Sequence, residues 1–307
     1  MHIAVVGAGA LGAVYGVRLA LRAHQQVTFV VREARAKTGA PLRLQRIDGD
    51  AAHDELAAPT YVTNVPDDAD VILVTVRQDQ LGDDLVTLLR PSTVPVVILT
   101  PMFTDDFSRL VTALGSRIFP TMPSVVSYDE NGSIRYWLPR SATTMIESEN
   151  APAVLGELRH VLVAAGITAQ MKRGVLLENV ATMVCFMPIA FALDVAGGVD
   201  ALLQNGPLLK SALAGVKESR ELAKTIGSPS SWASVLLAFV GGFTLKAGVA
   251  LAKRRSPEAV HYVEEHFGRK LHAQNLHMAK WMIDFAAKTN ARAEQLRVLY
   301  THLCEVT

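Results

Sequence analysis

The apolar positions of this chain change their period part-way along it. His2 to Val6, Gln26 to Val31, Asp70 to Val76 and Pro95 to Leu99 are short, nearly continuous apolar runs rich in β-branched residues. That is the pattern of strands buried on both faces of a parallel sheet. Helical patterns follow the first run, the third as far as Leu89, and the fourth over Asp105 to Leu114. Strand, loop and helix in succession predict a doubly wound sheet with its ligand loops at the carboxyl ends of the strands. Between Arg32 and Pro59 the periodicity is weak and predicts a helix with short irregular strands. Arg117 to Glu147 reads as strands, and Asn131-Gly132 predicts a hairpin that extends the sheet antiparallel. A helix over Pro152 to Ala165 and an edge strand over Gly166 to Met171 complete this half.

Beyond about Arg173 the pattern is helical throughout. It predicts helices over Gly174 to Ala196, Pro207 to Ile226, Ser231 to Lys253, one long helix from Pro257 to Lys288, and a last one over Arg292 to Val306. The fold class is therefore an α/β Rossmann-type N-terminal domain, residues 1–170, followed by an all-helical domain, residues 171–307, with no linker between them.

The first strand runs straight into Gly7, Gly9 and Gly12, spaced GxGxxG and opening a helix through Ala10 and Leu11. The first glycine permits a tight turn, the second lets backbone approach a pyrophosphate, and the third lets helix pack on strand. The free N–H groups and positive end of the helix then face the phosphates. No basic region precedes the apolar run, so it does not read as a signal peptide. About twenty residues past the last glycine, NAD binders place an acidic side chain on the ribose. Arg32 stands there, with Arg35 and Lys37 beside it and Glu33 opposing them. An arginine forks onto a 2′-phosphate that a carboxylate would repel, so the expected cofactor is NADP. Arg77, Gln80 and the turn Thr100, Pro101, Met102 follow later strands and are expected along the same crevice.

Thirty Lys and Arg against 29 Asp and Glu leave a net charge of +1, with no basic footprint for nucleic acid and no pull toward an anionic membrane. Trp232 to Leu251 is apolar over the length of a membrane span, but Lys246 and two adjacent glycines favour a buried helix. Two cysteines without CxxC spacing, Cys185 and Cys304, exclude a disulfide framework and a zinc site and fit a reduced, cytoplasmic setting.

The whole chain resembles the ketopantoate reductase (2-dehydropantoate 2-reductase) family. The resemblance lies in GAGALG, Arg32 after the second strand, VILVTVRQDQ, the NG hairpin and the two-domain order. It implies NADPH-dependent reduction of a carbonyl, and a helical half of the 6-phosphogluconate dehydrogenase C-terminal type that binds substrate and supports a homodimer. Gly7, Gly9, Gly12, Arg32 and Gln80 match the family's cofactor positions, and Arg77 replaces a family lysine with its charge kept. Thr100, Pro101 and Met102 replace the family's His-Asn-Gly turn. Aligned on Pro188, the family's proton-donating lysine becomes Asn179 and its two asparagines become Met183 and Met187. The family's substrate-binding glutamate falls on His272, or on Ala273 if the register slips by one.

An asparagine hydrogen-bonds but does not supply a proton, and a positioned acid is worth roughly 10² to 10⁴ in rate. The expectation is thus a reductase of a bulkier, more apolar carbonyl or imine than ketopantoate, with His272 as the proton donor. The alternative is a non-redox reaction, a cyclisation or elimination in a repurposed cleft, or a redox-silent protein that binds the cofactor. If Pro257 to Lys288 is one helix, His261, Glu265 and His272 share a stripe and line the substrate pocket. Glu265 and His272 are seven residues apart, roughly 10 Å along a helix and too far for one ion, so no metal is expected. Met183, Cys185, Phe186 and Met187 read equally as helix core or as an apolar pocket wall with Met102.

Overall fold

The fold is taken from a computed structural model, which describes residues 1–48, 53–139, 142–230, 233, 241–255, 260–261, 263–264 and 271–306. The chain forms two compact units, Met1–Leu176 and Leu177–Thr307.

The first unit is built on eight strands in the order β12-β11-β8-β7-β6-β1-β2-β5. In chain order these are β1 (His2–Val6), β2 (Gln26–Val30), β5 (Thr60–Val62), β6 (Val71–Val74), β7 (Val96–Ile98), β8 (Ile118–Met122), β11 (Thr144–Glu147) and β12 (Ala169–Lys172). All neighbouring pairs are parallel except β8 with β11. Helices α1 (Ala10–Arg22), α2 (Glu33–Thr38), α3 (Asp83–Leu89), α4 (Thr104–Leu114) and α5 (Ala153–Ala164) connect the strands. The continuous apolar runs are explained by two cores. Ile3 and Val5 of β1 pack with α1 and α5, while Ala4 and Val6 pack with α3 and α4. Alternate side chains of a strand point to opposite faces, so a strand covered on both sides has no polar face.

The Asn131-Gly132 hairpin forms as the sequence predicts, with both residues at positive φ, 53° and 82°. It does not extend the main sheet. Its strands, β9 (Val126–Glu130) and β10 (Ser133–Trp137), join β3 (Leu42–Arg46) and β4 (His53–Leu56) in a separate sheet of order β4-β3-β10-β9. The reason is a second apolar surface on α1. Leu42, Leu44, Ile134 and Tyr136 of the small sheet pack into the same core as α1. Arg18 of α1, 7% exposed, donates to the Tyr136 hydroxyl at 2.8 Å and lies 3.8 Å from Asp54 of β4. Arg22 pairs with the same carboxylate.

The second unit is helical: α6 (Val175–Ala196, which starts in the first unit), α7 (Val199–Gln204), α8 (Gly206–Ile226), α9 (Gly242–Arg255), α10 (His272–Lys288) and α11 (Glu294–Glu305). Glu147 of β11 caps α6, one carboxylate oxygen accepting from Val175 N at 3.0 Å and the other from Ser148 and Glu149 N. Glu218 of α8 does the same for α11 through Gln295 and Leu296 N at 2.9 and 3.2 Å. Two expectations are corrected. The long helix from Pro257 does not run through to Lys288, because Leu271 (φ −109°, ψ 18°) caps a helix that begins at His272. The apolar stretch from Trp232 lies partly outside the described residues; Ala233 is buried, but the described end of the stretch, α9, is mostly exposed rather than buried. Among the described residues one helix, α6, is long and apolar enough to cross a membrane, and 67% of its apolar window is buried inside the protein.

Candidate active site

The glycine turn follows β1 directly. Gly7 sits at φ +99°, a conformation that a side chain disfavours, and its N–H donates to Val30 O at 3.0 Å, tying the turn to β2. A Cβ on Gly12 would lie 2.1 Å from Gly7 O and 2.4 Å from Thr75 Oγ1, so only glycine lets α1 come this close to the turn. A Cβ on Gly9 would meet nothing within 4 Å. The open space over Gly9, at the N-cap of a helix with no acidic residue in its first turn, fits a pyrophosphate. Thr75, just past β6, staples the turn, its hydroxyl 3.0 Å from both Val6 O and Gly7 O.

The turn opens onto a cavity of about 1150 Å³ lined by Gly7, Arg32, Arg35, Arg43, Arg77 and Gln80 among others. Arg32 is the exposed N-cap of α2, and its guanidinium makes no ion pair among the described residues. Lys37 is spent on Glu33 at 2.7 Å and does not line the cavity, so the two charges that flank Arg32 cancel. Arg77 lines the cavity with its guanidinium bidentate on Asp79, at 3.1 and 3.0 Å. Gln80 folds back so that its side-chain oxygen accepts from Arg77 N at 3.2 Å.

The turn after β7 behaves differently. Thr100 is 3% exposed and donates its hydroxyl to Val76 O at 2.5 Å, joining the ends of β6 and β7. Neither Thr100 nor Pro101 lines the cavity. Met102 is 2% exposed and packs with Leu110 and Leu114 of α4, which makes it core and corrects its assignment to a pocket.

In the helical unit, Asn179 is 9% exposed and its amide makes no hydrogen bond among the described residues. Met183 is half-buried, and Met187, at 4% exposure, belongs to the interior. Cys185 is fully buried, and burial pushes its thiol up to about 11, so it is no nucleophile. Asp194, 0% exposed, is the one carboxylate in the buried part of α6. Its Oδ2 lies 3.0 Å from His272 Nδ1 and accepts from Asn275 Nδ2 at 2.9 Å. Asp194 Oδ1 and His272 Nε2 are buried with no hydrogen-bond partner among the described residues. The histidine thus has an orienting carboxylate, supplied by α6 in place of Glu265, which lies outside the described residues. His261 is exposed on a short described segment.

Asn179 and His272 are not brought together. Asn179 and Asp194 are fifteen residues apart on one helix, about 22 Å along its axis, so His272 sits near the opposite end of α6. The residues missed by sequence reasoning are Thr75, Arg43 and Asp194. Only Asp194 carried a signal, as an acidic residue inside an otherwise apolar helix.

Residues 3–100 match the family model described as ketopantoate reductase PanE/ApbA. That span covers β1 through β7, including the glycine turn, Arg32 and Arg77. No curated protein matches the chain by sequence. Among solved structures, the chain is similar over 100% of its length, and 100% of the other's, to a 2-dehydropantoate 2-reductase from Geobacter metallireducens GS-15, with 18% identity and TM-score 0.73. A PanE/ApbA family ketopantoate reductase from Ralstonia eutropha JMP134 gives 18% identity and TM-score 0.73, over 100% of this chain and 98% of that one. D-mandelate dehydrogenase with NADH and anilino(oxo)acetate gives 14% identity and TM-score 0.71, again over 100% and 98%. The fold is therefore that of the ketopantoate reductases, and the resemblance seen in the sequence holds. At these identities the likeness carries the fold alone.

Proposed function

We propose that the protein is an NADP-dependent oxidoreductase acting on a bulkier, more apolar carbonyl or imine than ketopantoate. The observation that carries this reading is one cavity lined both by Gly7 and Ala8 of the glycine turn and by Arg32, whose guanidinium makes no ion pair among the described residues, beside the open space over Gly9. Gly7, Gly9, Ala10, Leu11 and Gly12 would hold the pyrophosphate, and Arg32 the 2′-phosphate. The nicotinamide would supply the hydride.

The proton for the developing alkoxide comes from the protein. Asn179 has none to give, and it is too far from His272 for both to touch one carbonyl. His272 is the proposed donor, with Asp194 on Nδ1 fixing the orientation of the ring. In the reverse direction the same pair accepts the alcohol proton. Nε2 is closed to solvent, so the proton passes only once substrate displaces what covers it. Asn179, a neutral amide where the family has a lysine, offers no charge to hold an anionic substrate. A homodimer through the helical unit and a cytoplasmic setting, in keeping with two thiols in no disulfide, belong to the same reading.

Calorimetry with NADPH and NADH tests it first. NADPH should bind at least tenfold more tightly than NADH, and Arg32→Ala should erase the preference by removing a charge-assisted contact. Equal binding of both would remove the NADP assignment, and appreciable turnover of ketopantoate would remove the substrate assignment.

A further inference from the structure

We propose that the small four-stranded sheet is part of the nucleotide site, and that Arg43 of β3, with Arg35, is a specificity-determining residue for a phosphorylated ribose. The inference rests on the dinucleotide reading above and extends it to an element outside the main sheet.

Strand alternation keeps Arg43 out of the core. Leu42 and Leu44 on either side of it are 3% and 1% exposed and belong to the core shared with α1. The residue between them therefore faces away from that core, and the cavity reaches this end of the small sheet, where Leu42, Arg43 and Ile134 all line it. Its partner is its cross-strand neighbour Glu55, at 3.4 Å, with both side chains about half exposed or more (61% and 48%). Such a pair is weak in water and gives way readily to a phosphate, which accepts several hydrogen bonds from one guanidinium.

Arg35 reaches the same cavity from α2, and its posture is set by Tyr61 of β5. The guanidinium carbon lies 5.6 Å from the Tyr61 ring centroid and Nη2 3.4 Å from its hydroxyl. That hydroxyl donates to Ala40 O at 2.9 Å, and the chain runs from Ala40 through Pro41 into β3. One tyrosine thus links the edge of the main sheet, Arg35 and the strand that bears Arg43.

Three guanidiniums from three elements, Arg32, Arg35 and Arg43, therefore line one cavity with at most weak acidic partners. Of the acidic side chains in the same wall, Asp79 is taken by Arg77 and Asp129 accepts Gly132 N in the hairpin turn at 3.0 Å. Asp83 and Asp84 stand in the first turn of α3, where they complement its dipole.

The experiment is calorimetry on the full chain with two probes, adenosine 2′,5′-bisphosphate and 5′-AMP, which differ by one phosphate. Arg43→Ala should weaken the bisphosphate about tenfold and leave 5′-AMP unchanged, as expected for one lost charged contact to phosphate. Glu55→Gln, which releases Arg43 and keeps the side-chain shape, should tighten the bisphosphate severalfold and serves as the second variant should Arg43→Ala fold poorly. If wild type prefers the bisphosphate and Arg43→Ala and Glu55→Gln both bind it like wild type, the inference falls and the NADP reading stands. If wild type binds the two probes equally, both fall.

Discussion

In residues 1–176 the glycine turn, Arg32 and Arg77 follow the carboxyl ends of parallel strands, whereas in residues 177–307 Asn179 and the Asp194 partner of His272 stand near opposite ends of one helix. A strand end delivers its next residues to the same rim as its neighbours, so Gly7, Arg32 and Arg77 share a cavity although they span seventy residues. A helix delivers its side chains all round and along its axis, so Asn179 and Asp194 on the same helix are about 22 Å apart. Motif spacing is informative in the first case. In the second it is informative only when the partner helix is also known.

The largest expected effect lies in the helical unit. Asp194→Ala leaves His272 Nδ1 and Asn275 Nδ2 without their acceptor in a fully buried position, and should cost about 3 kcal/mol in urea unfolding. A loss below about 0.5 kcal/mol, the level of an ordinary surface change, would show that the cluster holds nothing together.

Next comes a pair of glycines that sharpens the contrast inside the nucleotide unit. Gly12→Ala drives a Cβ into Gly7 O and should destabilise by about 1–3 kcal/mol and abolish NADPH binding together. Gly9→Ala meets no protein atom within 4 Å, so its melting temperature should match wild type while NADPH binding falls at least tenfold. Equal melting losses in both variants would mean that the space over Gly9 is not kept for a ligand.

The smallest effect concerns the thiols. Cys304 is exposed and should be alkylated by iodoacetamide at pH 8, whereas buried Cys185 should stay unlabelled until the chain unfolds. Burial raises the Cys185 thiol from 9.0 to about 11, so the folded state holds this proton longer than the unfolded chain does. Its contribution to stability is complete below pH 9 and is lost as pH rises through 11. Mass spectrometry that finds both cysteines labelled in folded protein would contradict the burial.

Much of the first unit is legible in the residues themselves. Continuous apolar runs announce strands covered on both faces, and each of the four expected runs contains a strand of the parallel sheet. The hairpin is legible from Asn131-Gly132, yet its destination is not. A turn sets which two strands pair locally, while the choice between the main sheet's edge and a second sheet depends on the apolar face of α1. In the helical unit, periodicity marks α6, α8 and α11 but misses the short α7, and it runs past the break at Leu271, because neither feature changes the apolar spacing.

What the amino-acid order determined by itself is the local chemistry: a glycine turn that only glycine can make, an arginine just past the second strand, and the change of period that divides two fold classes. These depend on residues within one or two turns of chain, where backbone sterics and side-chain type leave few choices. The tertiary structure alone decided that Asp194, 78 residues away, is the partner of His272, that Arg43 reaches the wall lined by Arg32, and that Met102 is core. Each of these is a meeting of elements distant in sequence, and such meetings are settled by which apolar faces bury one another, a property of the whole packed unit that no local stretch encodes.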